Sequence, residues 1–243
     1  MSKLEFVPCL TSSAGSALSY IDWQALGVKT ASCHLDALLV KPGIDVLHQV
    51  KSIAEFMHWP QRLIVNAANL TLDSSGLFRV RSAYDGRLIT ISLDELLTLI
   101  IHLSPDVLVL PVGAMSRALE RFPASIQLIE TLTEWRYFVT RELSIFAQKP
   151  LNTSKMNWFE SNTPADDACN GLVYTANGII QITNLDKAMV FTPLEGSCNC
   201  PTCLAGFTWA YLHHLFTNTP GLCQRLLIQH NVGFVVQTVE RFN

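Results

Sequence analysis

The chain has 243 residues, of which 49% are hydrophobic and 15% charged, and its formal net charge is −3. That composition excludes a disordered chain and supplies enough apolar mass for a large core. The slightly acidic balance excludes a generally basic nucleic-acid binder. The longest apolar runs, such as Val107–Val112, fall far short of the roughly 18–20 residues of a membrane-spanning helix. Met1–Ser16 lacks the apolar core of a secretory signal, so the expectation is a soluble, cytoplasmic protein.

In chain order, Val28–Cys33 and Leu63–Asn66 read as short buried strands. Between them Ile44–Phe56 predicts an amphipathic helix, with Pro42-Gly43 marking its start. Phe78–Ala83 and Leu88–Ile91 flank Tyr84-Asp85-Gly86-Arg87, and Asp-Gly is a hairpin turn signal. Ser92-Leu93-Asp94-Glu95 reads as an N-cap with acidic first-turn residues, opening a helix to about Leu103. Val107–Val112 is a further buried strand, and Ser116–Leu143 is helical in character apart from Pro123. Lys149–Asn157 reads as a loop, Trp158-Phe159 as the start of a strand, and Asn162–Asn170 as a polar loop. Val173–Thr175 and Ile179–Thr183 form a hairpin about Asn177-Gly178, and a helical C-terminus begins near Thr208. Alternation of strands and helices predicts an α/β fold with a parallel sheet or barrel.

Seven cysteines, an odd number, argue against a disulfide framework. Three of them stand together in Cys198-Asn-Cys200-Pro-Thr-Cys203. Thiolates at this C-x-C-x-x-C spacing can converge on one cation from a single loop. Zn²⁺ takes four ligands in a tetrahedron, so a fourth donor is required, and His213, His214 and His230 are the downstream candidates. A Cys₃His set would be closed and structural, with no open catalytic position.

The cysteine box, followed by Ala210-Tyr-Leu-His-His-Leu215 and His230-Asn231, resembles the zinc subdomain of tRNA-guanine transglycosylases, the queuine tRNA-ribosyltransferase family. The resemblance continues upstream in Phe56-Met-His-Trp-Pro60, in Phe78–Gly86, in Lys41-Pro42-Gly43, in Asp106–Leu110 and in Trp158-Phe159-Glu160. It implies a (β/α) TIM-barrel-like fold with a zinc subdomain and Cys198, Cys200, Cys203 and His230 as structural Zn²⁺ ligands. The barrel is expected to be incomplete, because the interval between Val112 and Glu160 is short for the family's further strand–helix units. The implied division is a barrel-like region over residues 1–175 and a zinc-binding subdomain over residues 176–243.

The implied reaction exchanges a base at the ribose C1′ of tRNA. One carboxylate attacks C1′ and a second moves protons, as in retaining glycoside chemistry. The family's nucleophile, an Asp, falls on Glu160, one methylene longer. Its acid/base Asp falls on Asn66, which cannot ionise. The base-reading Asp falls at about Val112, and two arginines that meet the tRNA backbone fall on Asp166 and Cys169. From Glu160 onward six acidic residues (Glu160, Asp166, Asp167, Asp186, Glu195, Glu240) face three basic ones (Lys187, Arg225, Arg241), which weakens the case for unaided tRNA binding. The resemblance also implies a dimer. Two readings follow: a divergent transglycosylase of queuosine-type tRNA modification, or a non-catalytic accessory subunit or zinc-stapled RNA- or protein-binding module built on the same scaffold.

Overall fold

The structure is a computed structural model, and it describes residues 4–111, 114–130, 137–139 and 158–241. Its strands are β1 Glu5–Val7, β2 Thr30–His34, β3 Arg62–Asn66, β4 Leu77–Arg81, β5 Leu88–Ser92, β6 Val107–Leu110, β7 Gln127–Glu130, β8 Tyr137–Val139, β9 Trp158–Glu160, β10 Leu172–Thr175 and β11 Gly178–Gln181. The helices are α1 Tyr20–Ala25, α2 Leu35–Leu38, α3 Ile44–Leu47, α4 Ile53–Phe56, α5 Leu93–Leu103, α6 Met115–Arg121, α7 Thr163–Cys169, α8 Pro201–Leu204, α9 Trp209–Asn218 and α10 Pro220–Arg241. The chain is α/β with parallel strands, as expected. It gathers into two compact units, one from Met1–Pro8, Ser12–Val28 and Val139–Asn243, the other from Cys9–Thr11 and Lys29–Phe138. Among the described residues no helix is long and apolar enough to cross a membrane.

The second of these units holds a four-stranded sheet in the order β2-β3-β6-β7, every pair parallel. Leu63, Ile64, Val65 and the whole of Val107–Leu110 are buried, the continuous apolar run of strands covered on both faces. The β4–β5 hairpin is antiparallel, with Phe78 opposite Ile91. Its turn works as the Asp-Gly signal predicts: Gly86 has a φ of 72° and the Asp85 carboxylate accepts the Arg87 N–H. Helix α5 starts on a full capping box, in which Ser92 accepts the Glu95 N–H while Glu95 accepts the Ser92 N–H at 2.9 Å. Its apolar stripe of Leu93, Leu96, Leu97, Leu99, Ile100 and Leu103 is buried, and Ser104 closes it in the left-handed region.

Two expectations fail in this unit. Ile44–Phe56 is not one helix: α3 stops at Leu47 and α4 begins at Ile53. Ser52 lies fully extended and caps α4 by accepting the Glu55 N–H, so it starts a new helix where periodicity alone would continue the old one. Beyond Pro123 the chain turns to the strand β7 rather than staying helical, pairing Leu128 with Leu108. Val112, Trp135 and the loop expected over Lys149–Asn157 lie outside the described residues.

In the other unit β1 runs parallel to β9, with Val7 opposite Glu160. The loop expected over Asn162–Asn170 is helix α7 instead. Pro164 sits in its first turn, where its missing N–H costs nothing, and Ala165 and Ala168 supply the buried face that the polar neighbours disguise. Gly171 turns the chain from α7 into β10 with a φ of 77°, and a Cβ there would lie 2.8 Å from Phe216. The β10–β11 hairpin follows as predicted. Thr208 caps α9 by accepting the Tyr211 N–H, and α10 runs 22 residues with Leu226 through Gly233 all buried.

Candidate metal centre and the candidate catalytic positions

The cysteine loop prepares two donors by helix geometry. Cys200 is the N-cap of α8 and its sulfur accepts the Cys203 N–H at 3.4 Å, while Pro201 fixes the first turn. Residues three apart at a helix start share one face, so the two sulfurs point together. Cys198 joins them from the preceding turn, and His230 reaches them from α10. The four donor atoms lie within 4.8 Å of one another and all four residues are buried, His230 completely. His230 Nδ1 stands 3.6 Å from the Cys200 sulfur and 3.3 Å from that of Cys203. Around a tetrahedral Zn²⁺, bond lengths of about 2.3 Å to sulfur and about 2.0 Å to nitrogen put S and N roughly 3.5 Å apart. The four residues therefore fit a zinc-sized cation.

The imidazole is oriented for that task. His230 Nε2 lies 2.7 Å from the Tyr174 carbonyl, which can only accept. The proton therefore sits on Nε2, and Nδ1 faces the sulfurs, where its lone pair would serve a cation in the usual outer-shell arrangement of a metal histidine. Without a cation the crowded donors share protons instead. Hydrogen bonds from Cys200 and Cys203 hold the Cys198 thiol far below its ordinary value, and the same crowding drives Cys200 up. Burial pulls His230 down, but hydrogen bonds to Cys198 and Cys203 outweigh it and raise the imidazole to about 9. A divalent cation would take over the charge balance that these shared protons provide.

Three contacts outside the donor set hold the helices in place. Gly233, one turn past His230, lets α10 approach so closely that a Cβ there would lie 2.7 Å from Cys200 Cβ. Thr202 Oγ1 donates to the Leu226 carbonyl at 2.7 Å. Asp22, buried on α1, accepts Arg225 at 2.8 Å and Gln229 at 2.9 Å. Burial opposes the Asp22 charge, but Arg225 and Ser19 more than offset it and hold the carboxyl below its usual range. His213 and His214 lie on α9 outside the cluster, with His214 exposed beside Asn218. The other cysteines carry free thiols, and burial pushes Cys223 up to about 12, an inert thiol.

Glu160 ends β9 and is 1% exposed. Asn66 ends β3 in the other unit, at the C-terminal end of a parallel strand. Its Oδ1 accepts the Ala68 N–H at 2.9 Å, which fixes the carboxamide and turns Nδ2 toward His34 Nε2 at 3.5 Å. Asn69 lies 3.2 Å from the other His34 ring nitrogen. The position thus holds a neutral amide within a His–Asn cluster. Asp166 sits on α7, where burial first and Asp167 second raise its pKa, and Asp167 accepts the Tyr174 hydroxyl at 2.6 Å. Sequence reasoning missed the roles of His34, Asn69 and Asn231. A signal was present for Asn231, which stands next to the candidate ligand His230, and for His34, which ends the strand β2 beside Cys33.

Residues 156–242 match the protein family described as queuine tRNA-ribosyltransferase. Among similar proteins, the queuine tRNA-ribosyltransferase of Protochlamydia amoebophila is 37% identical over 84 residues, which is 35% of this chain and 21% of the relative. That of Dechloromonas aromatica is 39% identical over 79 residues, covering 32% of this chain and 21% of the relative. That of Thermoanaerobacter sp. is 34% identical over 86 residues, covering 35% and 23%. The matched stretch spans about a fifth of the length of these relatives.

Proposed function

We propose, from the match of residues 156–242 to the family described as queuine tRNA-ribosyltransferase, that the chain serves queuine-type base exchange in tRNA as the accessory subunit of a catalytically complete relative. What supports this reading is Asn66, the residue on which the resemblance sets the family's acid/base Asp, with a carboxamide oxygen that accepts the Ala68 N–H. A neutral amide cannot shuttle the proton that leaves or joins the exchanged base. Asp166 and Cys169 on α7, where the resemblance sets two arginines that meet the tRNA backbone, also supply no cation for phosphate.

In this reading Zn²⁺ at Cys198, Cys200, Cys203 and His230 would supply a structural cross-link. Four protein donors leave no open position for chemistry. The chain's own residues do the rest: Tyr174 sets the His230 tautomer, and Gly233 lets α10 close on Cys200. Leu185, Met189, Phe191 and Leu204 are 70–86% exposed on the segment around the cysteines, apolar surface of the kind a subunit interface covers. The subunit would act in the cytoplasm, with tRNA reaching it as part of the pair.

A second reading rests on Glu160. A carboxylate that is 1% exposed at the end of a parallel strand is a candidate nucleophile for C1′. Incubation with tRNA and labelled guanine separates the two. The accessory reading expects no incorporation by the chain alone, and co-purification with a full-length relative whose incorporation it raises. Incorporation by the chain alone that Glu160→Gln abolishes would replace that reading with the second one. Failure both to incorporate and to associate would refute the two together.

A further inference from the structure

We propose that Asn231 is a positioning residue that links occupancy of the Cys₃His site to the order of the arm Ser161–Thr175, the segment that follows Glu160. The proposal goes beyond the accessory-subunit reading and holds whether or not the chain catalyses exchange.

The geometry is specific. His230 and Asn231 are consecutive on α10 and neither is exposed at all. His230 sends Nδ1 to the sulfurs and Nε2 to the Tyr174 carbonyl. Asn231 Oδ1 accepts the Tyr174 N–H at 3.0 Å, while its Nδ2 donates to the Leu172 carbonyl at 2.8 Å and the Pro164 carbonyl at 3.1 Å. One carboxamide thus ties α10 to the first turn of α7 and to two residues of β10. Both peptide groups flanking Tyr174 Cα are held by the neighbouring side chains of α10, one of them a candidate metal ligand.

That arrangement makes the arm sensitive to where α10 sits. Successive helix residues are 100° apart, so a rotation that moves His230 away from the sulfurs also turns Asn231 away from β10. Hydrogen bonds of 2.8–3.1 Å weaken steeply once donor and acceptor part or misalign. A cation bonded to His230 and to three cysteines of the facing loop fixes that rotation. Without a cation the same four side chains lack that common bond.

The test measures amide hydrogen exchange by mass spectrometry on the whole chain, with zinc content determined first. Samples are the zinc-loaded and chelator-stripped parent, Asn231→Ala, the milder Asn231→Ser, and Cys223→Ala. Cys223 is an equally buried control on α10 whose thiol donates to the Leu212 carbonyl of α9 at 3.3 Å. Stripping is expected to raise exchange in peptides of the arm at least tenfold, with the β4–β5 hairpin, Leu77–Ser92, unchanged. Zinc-loaded Asn231→Ala or Asn231→Ser should show the same raised arm exchange at full zinc content, and stripping should then add less than threefold. Cys223→Ala should keep the parent's metal response. The proposal is overturned if the stripped parent keeps its arm protection, if exchange rises equally in the hairpin, or if both Asn231 variants respond to metal as the parent does. Should Asn231→Ala fail to fold, Asn231→Ser and the parent's own response still decide. A parent that takes up no zinc overturns the metal assignment and this proposal with it, whereas normal uptake with an indifferent arm overturns the proposal alone.

Discussion

Gly233→Ala should destabilise the chain and weaken metal binding, against the direction that helix propensity alone predicts. In an open helix interior, Ala in place of Gly gains about 1 kcal/mol. At Gly233 the new Cβ would lie 2.7 Å from Cys200 Cβ and 3.2 Å from Leu26 Cδ2. Carbon atoms pack at about 3.5–4.0 Å, so roughly 1 Å of separation must be found. Cys200 Cβ sits at the root of its side chain and cannot swing aside, so either α10 or the cysteine loop must shift its backbone. Overpacking of this kind costs about 1–3 kcal/mol, and the unyielding neighbour puts it near the upper end. The net loss is then about 1–2 kcal/mol, which for a chain of this size lowers Tm by roughly 2–8 °C. The same shift moves a candidate ligand, so zinc affinity should fall about 10–100-fold, the range seen when support around a metal site is lost. Thermal melting and competition with a chromophoric chelator measure the two effects. Gly221→Ala is the control, because Gly221 also lies in α10 and a Cβ there meets nothing within 4 Å. The control should be neutral or stabilising. A Gly233→Ala protein with raised Tm and unchanged zinc affinity would refute the reasoning.

Asp22 gives a pH prediction with a definite sign. Its pKa is lowered in the folded chain, so its contribution is present above the ordinary carboxylate value and is lost as pH falls through the folded one. Chemical denaturation of Asp22→Asn should therefore lose less stability than the parent on acidification below about pH 4, with a cost at neutral pH of about 1–2 kcal/mol, restrained by the half-exposed Arg225. Ser92→Ala removes one half of the α5 capping box and should cost about 1 kcal/mol in the same assay; no change would mean that the cap contributes nothing. Cys200→Ser should lower zinc content below that of the parent by metal analysis, since a serine oxygen is a poor replacement for a thiolate; an unchanged content would contradict the donor set.

Much of the fold was legible where a local chemical signal agrees with its surroundings. The α5 cap, the Asp85-Gly86 turn and the buried runs of β3 and β6 each follow from residues adjacent in sequence, and tertiary contacts only reinforce them. The readings that failed depend on something not local. Ile44–Phe56 has helical periodicity, yet the chain uses Ser52 as a cap, and periodicity cannot distinguish one helix from two in register. Asn162–Asn170 is polar enough to read as a loop, and becomes helical because two small alanines suffice to pack α7 once α10 and Asn231 are beside it.

The candidate sites divide along the same line. The metal donors were legible because three of the four sit within six residues, and spacing alone limits where their sulfurs can go. What spacing could not reveal is the support for the fourth. Tyr174 lies 56 residues before His230, and Asp22 lies 207 before Gln229, so these partners appear only after the chain has folded. Asn66 shows the limit from the other side. Its identity alone excluded proton transfer, but only the structure shows the amide bonded to Ala68 and facing His34. An Asp at residue 66 could still accept the Ala68 N–H and would restore an ionisable group beside His34. Asn66→Asp is therefore the direct way to ask how much the accessory reading rests on one side chain. If that variant incorporates guanine unaided where the parent does not, the amide at residue 66 accounts for the parent's silence; if it stays silent, the accessory reading gains support that does not rest on residue 66 alone.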